Sequence, residues 1–472
     1  MQRVDLLIVG GGISGLSCAA WMQPAELAME LWESSHRVGG KIGSHRQQGY
    51  LCEQSASMVV NHLAPVEQLI HACGAAQQRM ERPASRARVR YLLEQERLHP
   101  LPPSLPGMAR SSLISWRGKL RMLAEPLIPR STLTEESAAA FIRRRLGSEL
   151  LERALDPYIS GTLACDPEQA CARSVLPRLN ALEQEYRSIL LGALWQRLRG
   201  QRTPMGSTPF SFAEGMQHLP RQLARLVQQQ PGQLQLQHRV ESIEPCRLGW
   251  RVHATTGRGE RTLECRQLVL CCPAPEAARL LAASDPELGQ LLATIEYAPI
   301  TLVHTGFRTD QVQHPLDSQG FLTPSRSPLT INGSLWPSSV FDNRAPAGHH
   351  LLTTYLGGSR RPEARDWNDA DALQRVLEDL DRVLGLRGEP GFVELVRHPQ
   401  ALPLYQIGHY QRGQRIEQLC RRLPGLHLNG NYLGGVSIRD RIAASHRLAR
   451  RLGLALGEPL QARSTAVSLG AA

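Results

Sequence analysis

The sequence predicts an α/β fold with a mixed-sheet domain and a helical insertion. Near the start, short apolar runs alternate with glycine-rich turns, which is typical of strand-turn-helix units. In the middle, apolar side chains such as Phe141, Leu146 and Leu155 recur at helical spacing before Pro157, so a largely α-helical region is expected. The first pattern returns near the end, where residues 426–428 run into an Asn-Gly turn and a helix.

Length and composition exclude several classes of protein. A chain of 472 residues predicts more than one domain, because single hydrophobic cores stop growing near about 250–300 residues. No run approaches the ~18 uncharged apolar residues of a membrane span, and the start lacks a signal-peptide pattern. The ten cysteines include no C-x-x-C pair, so we expect a reduced, cytoplasmic compartment with neither a disulfide framework nor a metal site. The net charge of +11 is not accompanied by a recognisable nucleic-acid module, so no nucleic-acid partner is expected.

A glycine-rich turn follows the first apolar strand. In G-x-G-x-x-G, the first glycine makes the turn, the second lets the backbone approach a pyrophosphate, and the third lets the helix pack on the strand. A second strand ends in Glu33, which is placed to hydrogen-bond an adenosine ribose. The pattern predicts a Rossmann-like dinucleotide-binding domain. Its turn residues are Gly10, Gly11, Gly12, Ile13, Ser14 and Gly15.

Residues after Glu33 and near the end of the chain indicate the cofactor. Arg37, Gly40 and Lys41 belong to an acid followed by Arg-x-Gly-Gly, which resembles the extension that marks FAD-binding proteins of the amine oxidase and protoporphyrinogen oxidase superfamily. Residues 425–438 resemble the strand and glycine turn that bring backbone N–H groups to the flavin in that superfamily. The resemblance implies FAD as the cofactor. It also implies cofactor contacts from Val240, Gly430, Asn431, Val436, Ser437 and Ile438.

Central landmarks narrow the resemblance to the protoporphyrinogen oxidase family. They are residues 141–147, 156–161, 166–167, 177–183, 210–220 and 343–346, and they follow the order of that family. The resemblance covers residues 1 to about 452. It implies FAD-dependent oxidation of protoporphyrinogen IX to protoporphyrin IX in heme biosynthesis, with oxygen as the acceptor. Because the flavin carries this chemistry, no catalytic side chain is identified and no triad is expected.

Three alternatives stay open. In the first alternative, the substrate is coproporphyrinogen III. In the second, the chain is a flavin amine oxidase or a carotenoid desaturase. In the third, it is a non-catalytic flavin-binding partner of the heme pathway.

The sequence also departs from the family pattern. Ser55 stands where a glycine is common, and residues 437–441 replace the usual glycine, proline and cysteine positions. These departures leave FAD binding in place and weaken the assignment of one substrate.

The resemblance also implies substrate contacts. A porphyrinogen is a large apolar disc with propionates, which arginine binds in a bidentate manner. Arg90 lies nine residues before His99, the spacing at which this family places its propionate-binding arginine; the alternative is a solvated surface arginine. The walls of the disc site are implied to be Gly320, Leu322, Leu335, Tyr355 and Leu356. The alternative for each wall residue is ordinary packing within a sheet.

The chain is divided into six predicted regions. Residues 1–85, 206–275 and 401–458 are three parts of the FAD-binding domain, 86–205 are helical, 276–400 bind substrate, and 459–472 form a flexible tail.

Within the helical region, Trp116 stands among aliphatic and cationic residues, as in a helix on a membrane surface. A peripheral position on the inner face of the cell membrane is therefore a further hypothesis; the alternative is a solvated basic face. The expected partners are the porphyrinogen, oxygen, that surface, a downstream ferrochelatase and a second copy in a homodimer.

Overall fold

Strands and helices alternate along the chain, which confirms the predicted α/β fold class. We describe the fold from a computed structural model. The structure describes residues 2–25, 27–83, 90–94, 96–102, 107, 110–131, 133, 135–199, 208–229 and 233–457. The predicted tail at 459–472 lies outside these residues. Across the described ranges, no helix is both long enough and apolar enough to span a bilayer.

The strands form two large sheets and two short ribbons. In chain order they are β1 (Gln2–Val9), β2 (Met29–Trp32), β3 (Ser44–Gln47), β4 (Tyr50–Glu53), β5 (Arg79–Glu81), β6 (Arg90–Glu94), β7 (Arg97–Leu101), β8 (Phe210–Phe212), β9 (Leu234–Gln235), β10 (His238–Cys246), β11 (Gly249–Thr256), β12 (Gly259–Leu270), β13 (Tyr297–Arg308), β14 (Gly320–Leu322), β15 (Gly333–Leu335), β16 (His349–Gly357), β17 (Phe392–Pro403) and β18 (Leu426–Leu428).

The helices cover both large sheets and form the insertion. In chain order they are α1 (Ile13–Met22), α2 (Ala64–Ala72), α3 (Trp116–Leu123), α4 (Ala138–Leu146), α5 (Ser148–Leu150), α6 (Asp156–Leu163), α7 (Ala172–Val175), α8 (Pro177–Tyr186), α9 (Ile189–Leu198), α10 (His218–Val227), α11 (Ala274–Leu281), α12 (Pro286–Ala293), α13 (Pro337–Val340), α14 (Asp369–Leu384), α15 (His409–Cys420) and α16 (Ile438–Leu456).

The first sheet has the strand order β10-β11-β12-β1-β2-β9, and β18 pairs with β12. β1 lies parallel to β12 and to β2. Along β1, Leu6 and Ile8 pack against α1 and α16, whereas Leu7 and Val9 belong to the core beneath α11 on the opposite face. Burial on both faces accounts for the continuous apolar run at residues 6–9, and it places the glycine turn at the carboxyl end of a central strand.

The second sheet has the strand order β17-β13-β16-β15-β14-β6-β7. α14 covers one face, where Val376 and Leu380 share a core with Phe307 and Leu352. The apolar residues of α14 recur at helical spacing, so they form one stripe along the helix, and this stripe packs against the sheet. The other face of the sheet is turned to the first sheet and to the helical insertion.

Residues 90–94 and 97–101 differ from the prediction that placed them in the helical region. They form the paired strands β6 and β7, and β6 joins the second sheet by pairing in parallel with β14, where Tyr91 lies opposite Phe321. Helical periodicity is present in the described residues from 116 to 198, which form α3 to α9. The division of the chain into six regions otherwise stays a prediction.

Pro157 also differs from its expected place after the end of a helix. It lies in the first turn of α6, where a missing N–H leaves no helical hydrogen bond unmade. A π-helical segment at Leu151–Leu155 carries the chain directly from α5 into α6. α6 follows this segment and reaches the cavity described below.

Candidate functional site

A cavity of about 1380 Å³ lies where the two large sheets and the helical insertion meet. Its wall includes the glycine turn after β1, Ile300 and Leu302 of β13, and Tyr158 of α6. A pocket for one drug-sized ligand measures about 300–1,000 Å³, so this cavity has room for a dinucleotide and a second molecule. The sequence-predicted residues that line it are Gly10, Gly12, Ile13, Ser14, Glu33, Gly40, Lys41, Arg90, Val240, Tyr355, Asn431, Val436, Ser437 and Ile438.

The glycine turn after β1 has the geometry of a pyrophosphate cradle. Gly12 caps α1 without a side-chain hydrogen bond, and a Cβ added there would meet no atom within 4 Å. The first N–H groups of α1 therefore remain open to an anion. Gly15 serves packing, because a Cβ there would lie 1.9 Å from the carbonyl oxygen of Gly10. The two glycines thus perform the separate roles that the motif requires.

Glu33 stands at the end of β2 with its carboxylate fixed from two sides. Its Oε2 accepts a hydrogen bond from the Gly11 N–H at 2.6 Å, and its Oε1 accepts from the Ser35 N–H at 2.8 Å. Gly11 is thereby linked to the acid, and a Cβ at Gly11 would lie 2.9 Å from the Cβ of Glu33. Glu33 and Val240 both line the cavity, where the Glu33 carboxylate would be an oriented acceptor for a ribose.

Arg37 and Lys41 have different surroundings. The Arg37 guanidinium donates to the carbonyl oxygens of Gly40 at 2.9 Å and Ile42 at 3.1 Å, so it fixes the turn that follows Glu33. Lys41 Nζ donates to the Ala401 carbonyl oxygen at 2.6 Å and lies 5.4 Å from the centre of the Tyr297 ring. Burial lowers the pKa of Lys41 to about 8. Among the described residues no carboxylate forms an ion pair with Lys41, so it is a cation suited to an anionic ligand.

The turn after β18 lines the cavity at the same edge of the first sheet as the first glycine turn. Asn431, Val436 and Ile438 line the cavity, while Gly430 lies behind them, where a Cβ would meet the Tyr432 ring at 2.0 Å. Ser437, one of the departures from the family pattern, caps α16 by accepting from the Asp440 N–H at 3.2 Å. The serine therefore preserves a helix N-terminus directed at the cavity. Ser55, another departure, also lines the cavity.

Two side chains that the sequence reasoning missed hold this turn in place. The Tyr405 hydroxyl donates to the Asn431 carbonyl oxygen at 2.6 Å and accepts from the Gly435 N–H at 3.2 Å. The Arg441 guanidinium donates to the Gly430 carbonyl oxygen at 2.6 Å from the interior. The sequence contains a sign of the role of Arg441. Helical spacing places this arginine on the same face of α16 as Ile438 and Ile442, where an apolar side chain is expected. Tyr405 gave no comparable signal.

Arg90 lies at the start of β6, in the part of the cavity bounded by the second sheet. Burial lowers the pKa of its guanidinium, and the nearby side chains of Tyr355 and Tyr158 act in the opposite direction. None of the described carboxylates forms an ion pair with Arg90. A half-buried arginine that lines a cavity and has no carboxylate partner is stabilised by a ligand that supplies negative charge, so Arg90 is a candidate for carboxylate binding.

The remaining predicted wall residues do not all reach the cavity. Leu322, Gly333 and Tyr355 lie opposite one another in adjacent strands and share one face of the second sheet, but of these only Tyr355 lines the cavity. Leu322 packs in the core shared with the helical insertion, and Gly320 and its pairing partner Leu335 are not part of the cavity wall. Leu356 is different, because it follows Tyr355 along the strand and belongs to the core beneath α14. The structure does not bring Leu356 to the cavity, since successive residues of a strand point to opposite faces.

Arg173 was not identified from the sequence, although it lines the cavity. Its guanidinium carbon lies 3.7 Å from the centre of the Tyr410 ring, and no ion pair joins it to a described carboxylate. Arg173 sits on α7, a helix of four residues whose sequence has no binding motif. Only the spatial approach of α7 to α15 shows that it belongs to the site.

The structure fits FAD on the evidence of its own residues. The open first turn of α1 and the α16 N-terminus suit a pyrophosphate and an electron-rich ring, and the Glu33 carboxylate suits a ribose. The model of the flavin containing amine oxidoreductase family matches residues 13–452 of this chain. The sequence resemblance to that superfamily is therefore confirmed.

Several characterised proteins are similar along nearly their whole length. Mitochondrial protoporphyrinogen oxidase of Nicotiana tabacum is 27% identical over 463 residues, which cover 91% of this chain and 91% of the relative. Coproporphyrinogen III oxidase of Bacillus subtilis (strain 168) is 28% identical over 460 residues, which cover 93% and 95% of the two chains.

Solved structures of other proteins share the fold of this chain. One assigned as a protoporphyrinogen oxidase, from Exiguobacterium sp. 255-15, superposes with a TM-score of 0.77 at 25% identity and covers 96% of this chain and 99% of that chain. Reduced UDP-galactopyranose mutase has a TM-score of 0.71 at 14% identity, covering 97% and 94% of the two chains, and shares the fold. The chain therefore belongs to the flavin containing amine oxidoreductase family and is an FAD-dependent oxidoreductase.

Proposed function

We propose that this enzyme oxidises a porphyrinogen to the conjugated porphyrin, with protoporphyrinogen IX as the preferred substrate and oxygen as the final acceptor. The observation that carries the proposal is Arg90, a cavity arginine with no ion-pair partner among the described carboxylates. A propionate on a large apolar disc supplies the missing negative charge. The names of similar proteins, protoporphyrinogen oxidase and coproporphyrinogen III oxidase, support the same substrate class.

FAD, when bound, accepts two electrons in each oxidation and passes them to oxygen. The first turn of α1 holds the pyrophosphate through its open N–H groups, and Glu33 holds the ribose. The turn at residues 430–438 and the α16 N-terminus line the cavity and would hold the flavin ring system. These residues fix the cofactor at one end of the cavity and leave the end near Arg90 for the substrate.

Substrate orientation is the main task of the remaining side chains. Arg90 holds one edge of the disc, and Ile300, Leu302 and Tyr355 cover its surface and keep water away. A disc bound in a fixed orientation holds one of its carbons next to the cofactor. The reaction then takes place between two bound molecules and needs no further search for the right orientation. No protein nucleophile is needed for this reaction.

Coproporphyrinogen III remains the second candidate because of Arg173. This molecule carries more propionates than protoporphyrinogen IX, and Arg173 is a second cavity arginine without an ion pair to any described carboxylate. If Arg173 binds one of the additional propionates, Arg173→Ala lowers kcat/KM for coproporphyrinogen III more than for protoporphyrinogen IX. Equal losses for both substrates would remove the reason for preferring the second candidate.

The test of the proposed function is anaerobic mixing of the FAD-loaded enzyme with each porphyrinogen in turn. Loss of flavin absorbance together with growth of porphyrin fluorescence, both faster than the spontaneous background, is expected for protoporphyrinogen IX. Failure of both substrates to bleach bound FAD would overturn the proposal. Bleaching by an amine or a polyene would then identify one of the other enzyme classes, and bleaching by none would indicate a non-catalytic flavin protein.

We also propose that the helical insertion lies on an anionic membrane surface. Trp116 is 66% exposed on α3, and Leu198 is 71% exposed on α9. Other exposed apolar side chains of these two helices are Leu120, Leu123, Leu191, Leu194 and Trp195, and we name this set of side chains, with Trp116 and Leu198, the apolar patch. Both helices pack against residues 125–127. Arg117, Lys119 and Arg197 lie on the same helices, and apolar side chains beside cations suit a lipid interface. Delivery of the product to a ferrochelatase, formation of a homodimer and a place on the inner face of the cell membrane stay predictions.

A further inference from the structure

The turn at residues 429–435 is held from inside by one buried cation. Arg441 is 3% exposed and lies in the first turn of α16, where it also lines the cavity. Its Nη1 donates to the carbonyl oxygens of Gly430 at 2.6 Å and Gly435 at 3.2 Å, and also to that of Leu433. One guanidinium therefore joins three carbonyls of a turn whose own backbone supplies a single hydrogen bond among residues 430–433, from the Leu433 N–H to the Gly430 carbonyl oxygen at 3.2 Å.

A second set of hydrogen bonds connects this turn to the start of the chain. Arg441 Nη2 donates to Asn429 Oδ1 at 3.1 Å, and Asn429 Nδ2 donates to the Ser445 hydroxyl at 2.9 Å. The Ser445 hydroxyl in turn donates to the Ser14 carbonyl oxygen at 2.8 Å. Ser14 belongs to the first turn of α1, so the series links the two glycine-rich turns that line the cavity.

The charge of Arg441 has no direct counterion among the described residues. The adjacent carboxylate, Asp440, pairs with Arg439 at 3.4 Å. The Nε of Arg441 is buried without a hydrogen-bond partner in the described part of the chain. The α16 N-terminus adds a further partial positive charge of about +0.5 at the same end of the cavity. Low surrounding polarity strengthens the effect of both charges on a bound group.

We propose that Arg441 is a positioning residue for FAD, which clamps the 429–435 turn against the first turn of α1 and favours negative charge on the flavin. The proposal depends on FAD binding and is independent of which substrate is oxidised. Two effects follow from it. Loss of the clamp weakens FAD binding, and loss of the charge moves the flavin midpoint potential to more negative values, because reduction adds negative charge to the ring system.

The test compares Arg441→Met, Arg441→Lys, Ser445→Ala and the exposed Arg450→Met on the same helix. FAD dissociation constants are measured by titrating each apoprotein, and midpoint potentials by equilibration with a redox dye. Arg441→Met is expected to weaken FAD binding at least tenfold and to lower the potential. Arg441→Lys keeps the potential near that of the wild type but weakens binding, since an ammonium lacks the guanidinium fork. Ser445→Ala weakens binding alone, and Arg450→Met changes neither quantity.

Unchanged FAD affinity and unchanged potential in folded Arg441→Met would overturn the proposal. If Arg441→Met does not fold, wild-type FAD affinity in both Arg441→Lys and Ser445→Ala would overturn it. These measurements need no porphyrinogen. A failure of the proposed substrate would therefore leave them intact, and a failure of the clamp would leave the substrate test intact.

Discussion

Arg90 is the side chain whose replacement separates substrate binding from cofactor binding. We expect Arg90→Ala to raise the KM for the porphyrinogen roughly tenfold or more, because a hydrogen bond to a charged group contributes about 1.5–3 kcal/mol. FAD content should stay unchanged, since Arg90 lies on the second sheet and the glycine turn follows the first. Steady-state kinetics and flavin absorbance check both points. Arg97→Ala, on the neighbouring strand and exposed, is the control, and an unchanged KM in Arg90→Ala would remove Arg90 from the substrate site.

Glu53 makes the folding stability of the protein depend on pH, whatever reaction the enzyme catalyses. Burial raises its pKa to about 7, against the hydrogen bonds that it accepts from the Ser44 hydroxyl at 2.6 Å and the Met216 N–H at 2.9 Å. A carboxyl with a raised folded-state pKa binds more protons in the folded state, so its contribution to stability is present below the unfolded pKa. That contribution is lost as the pH rises from about 4.5 to about 7.

The variant Glu53→Gln should therefore flatten the pH dependence of unfolding. We expect the variant to gain stability relative to the wild type between pH 5 and pH 8, by roughly 1–3 kcal/mol at the upper end. Urea unfolding at several pH values measures the difference. A difference that stays constant from pH 5 to pH 8 would show that Glu53 does not titrate in this range.

Side chains within continuous motifs were predictable from the sequence, and side chains that act through space were not. Gly12 and Glu33 belong to a spacing with one physical meaning, so their places at the cavity followed from the chain alone. Tyr405 and Arg173 reach the cavity from elements with no local signature. Leu356 was misplaced because its neighbour Tyr355 takes the cavity face, and a buried strand shows no alternation from which to choose between them.

At the scale of elements, the apolar patch lies on α3 and α9. We therefore expect these two helices to contact the membrane. We expect the double variant Trp116→Glu with Leu198→Glu to lose most of its binding to anionic vesicles, because both side chains are more than half exposed and each charge opposes insertion. Cosedimentation with vesicles rich in phosphatidylserine measures the effect. Leu454→Glu is the matched control, since Leu454 is equally exposed on α16, outside the patch. Equal binding by the wild type and the double variant would exclude the patch as the contact.

Elements with strong local periodicity were predicted well, and elements defined by distant pairing were not. β18 occupies residues 426–428 and the helix α16 follows it, as the sequence indicated. The paired strands β6 and β7 were assigned to the helical region because their pairing partner β14 lies far along the chain. Strand propensity depends on such neighbours more than helix propensity does, so a single sequence could not reveal this membership.

At the scale of the whole molecule, FAD should contribute measurably to stability. The cavity joins the two large sheets and the insertion, and a ligand that binds only the folded chain stabilises it by about 2.7 kcal/mol at 100 times its dissociation constant. We expect removal of FAD to lower Tm by several degrees and added FAD to restore it. Calorimetry of the apoprotein and the reloaded protein tests this, and equal Tm values would show that FAD binds without coupling to the fold.

The pairing of Leu268 with Leu426 has a consequence for biosynthesis. During translation, β1, its glycine turn and β12 emerge from the ribosome well before β18 and α16. A nascent chain halted before residue 426 has a pyrophosphate cradle but lacks the turn that faces the ring system. The complete cofactor site therefore exists only after the last strand and helix of the described chain have been synthesised.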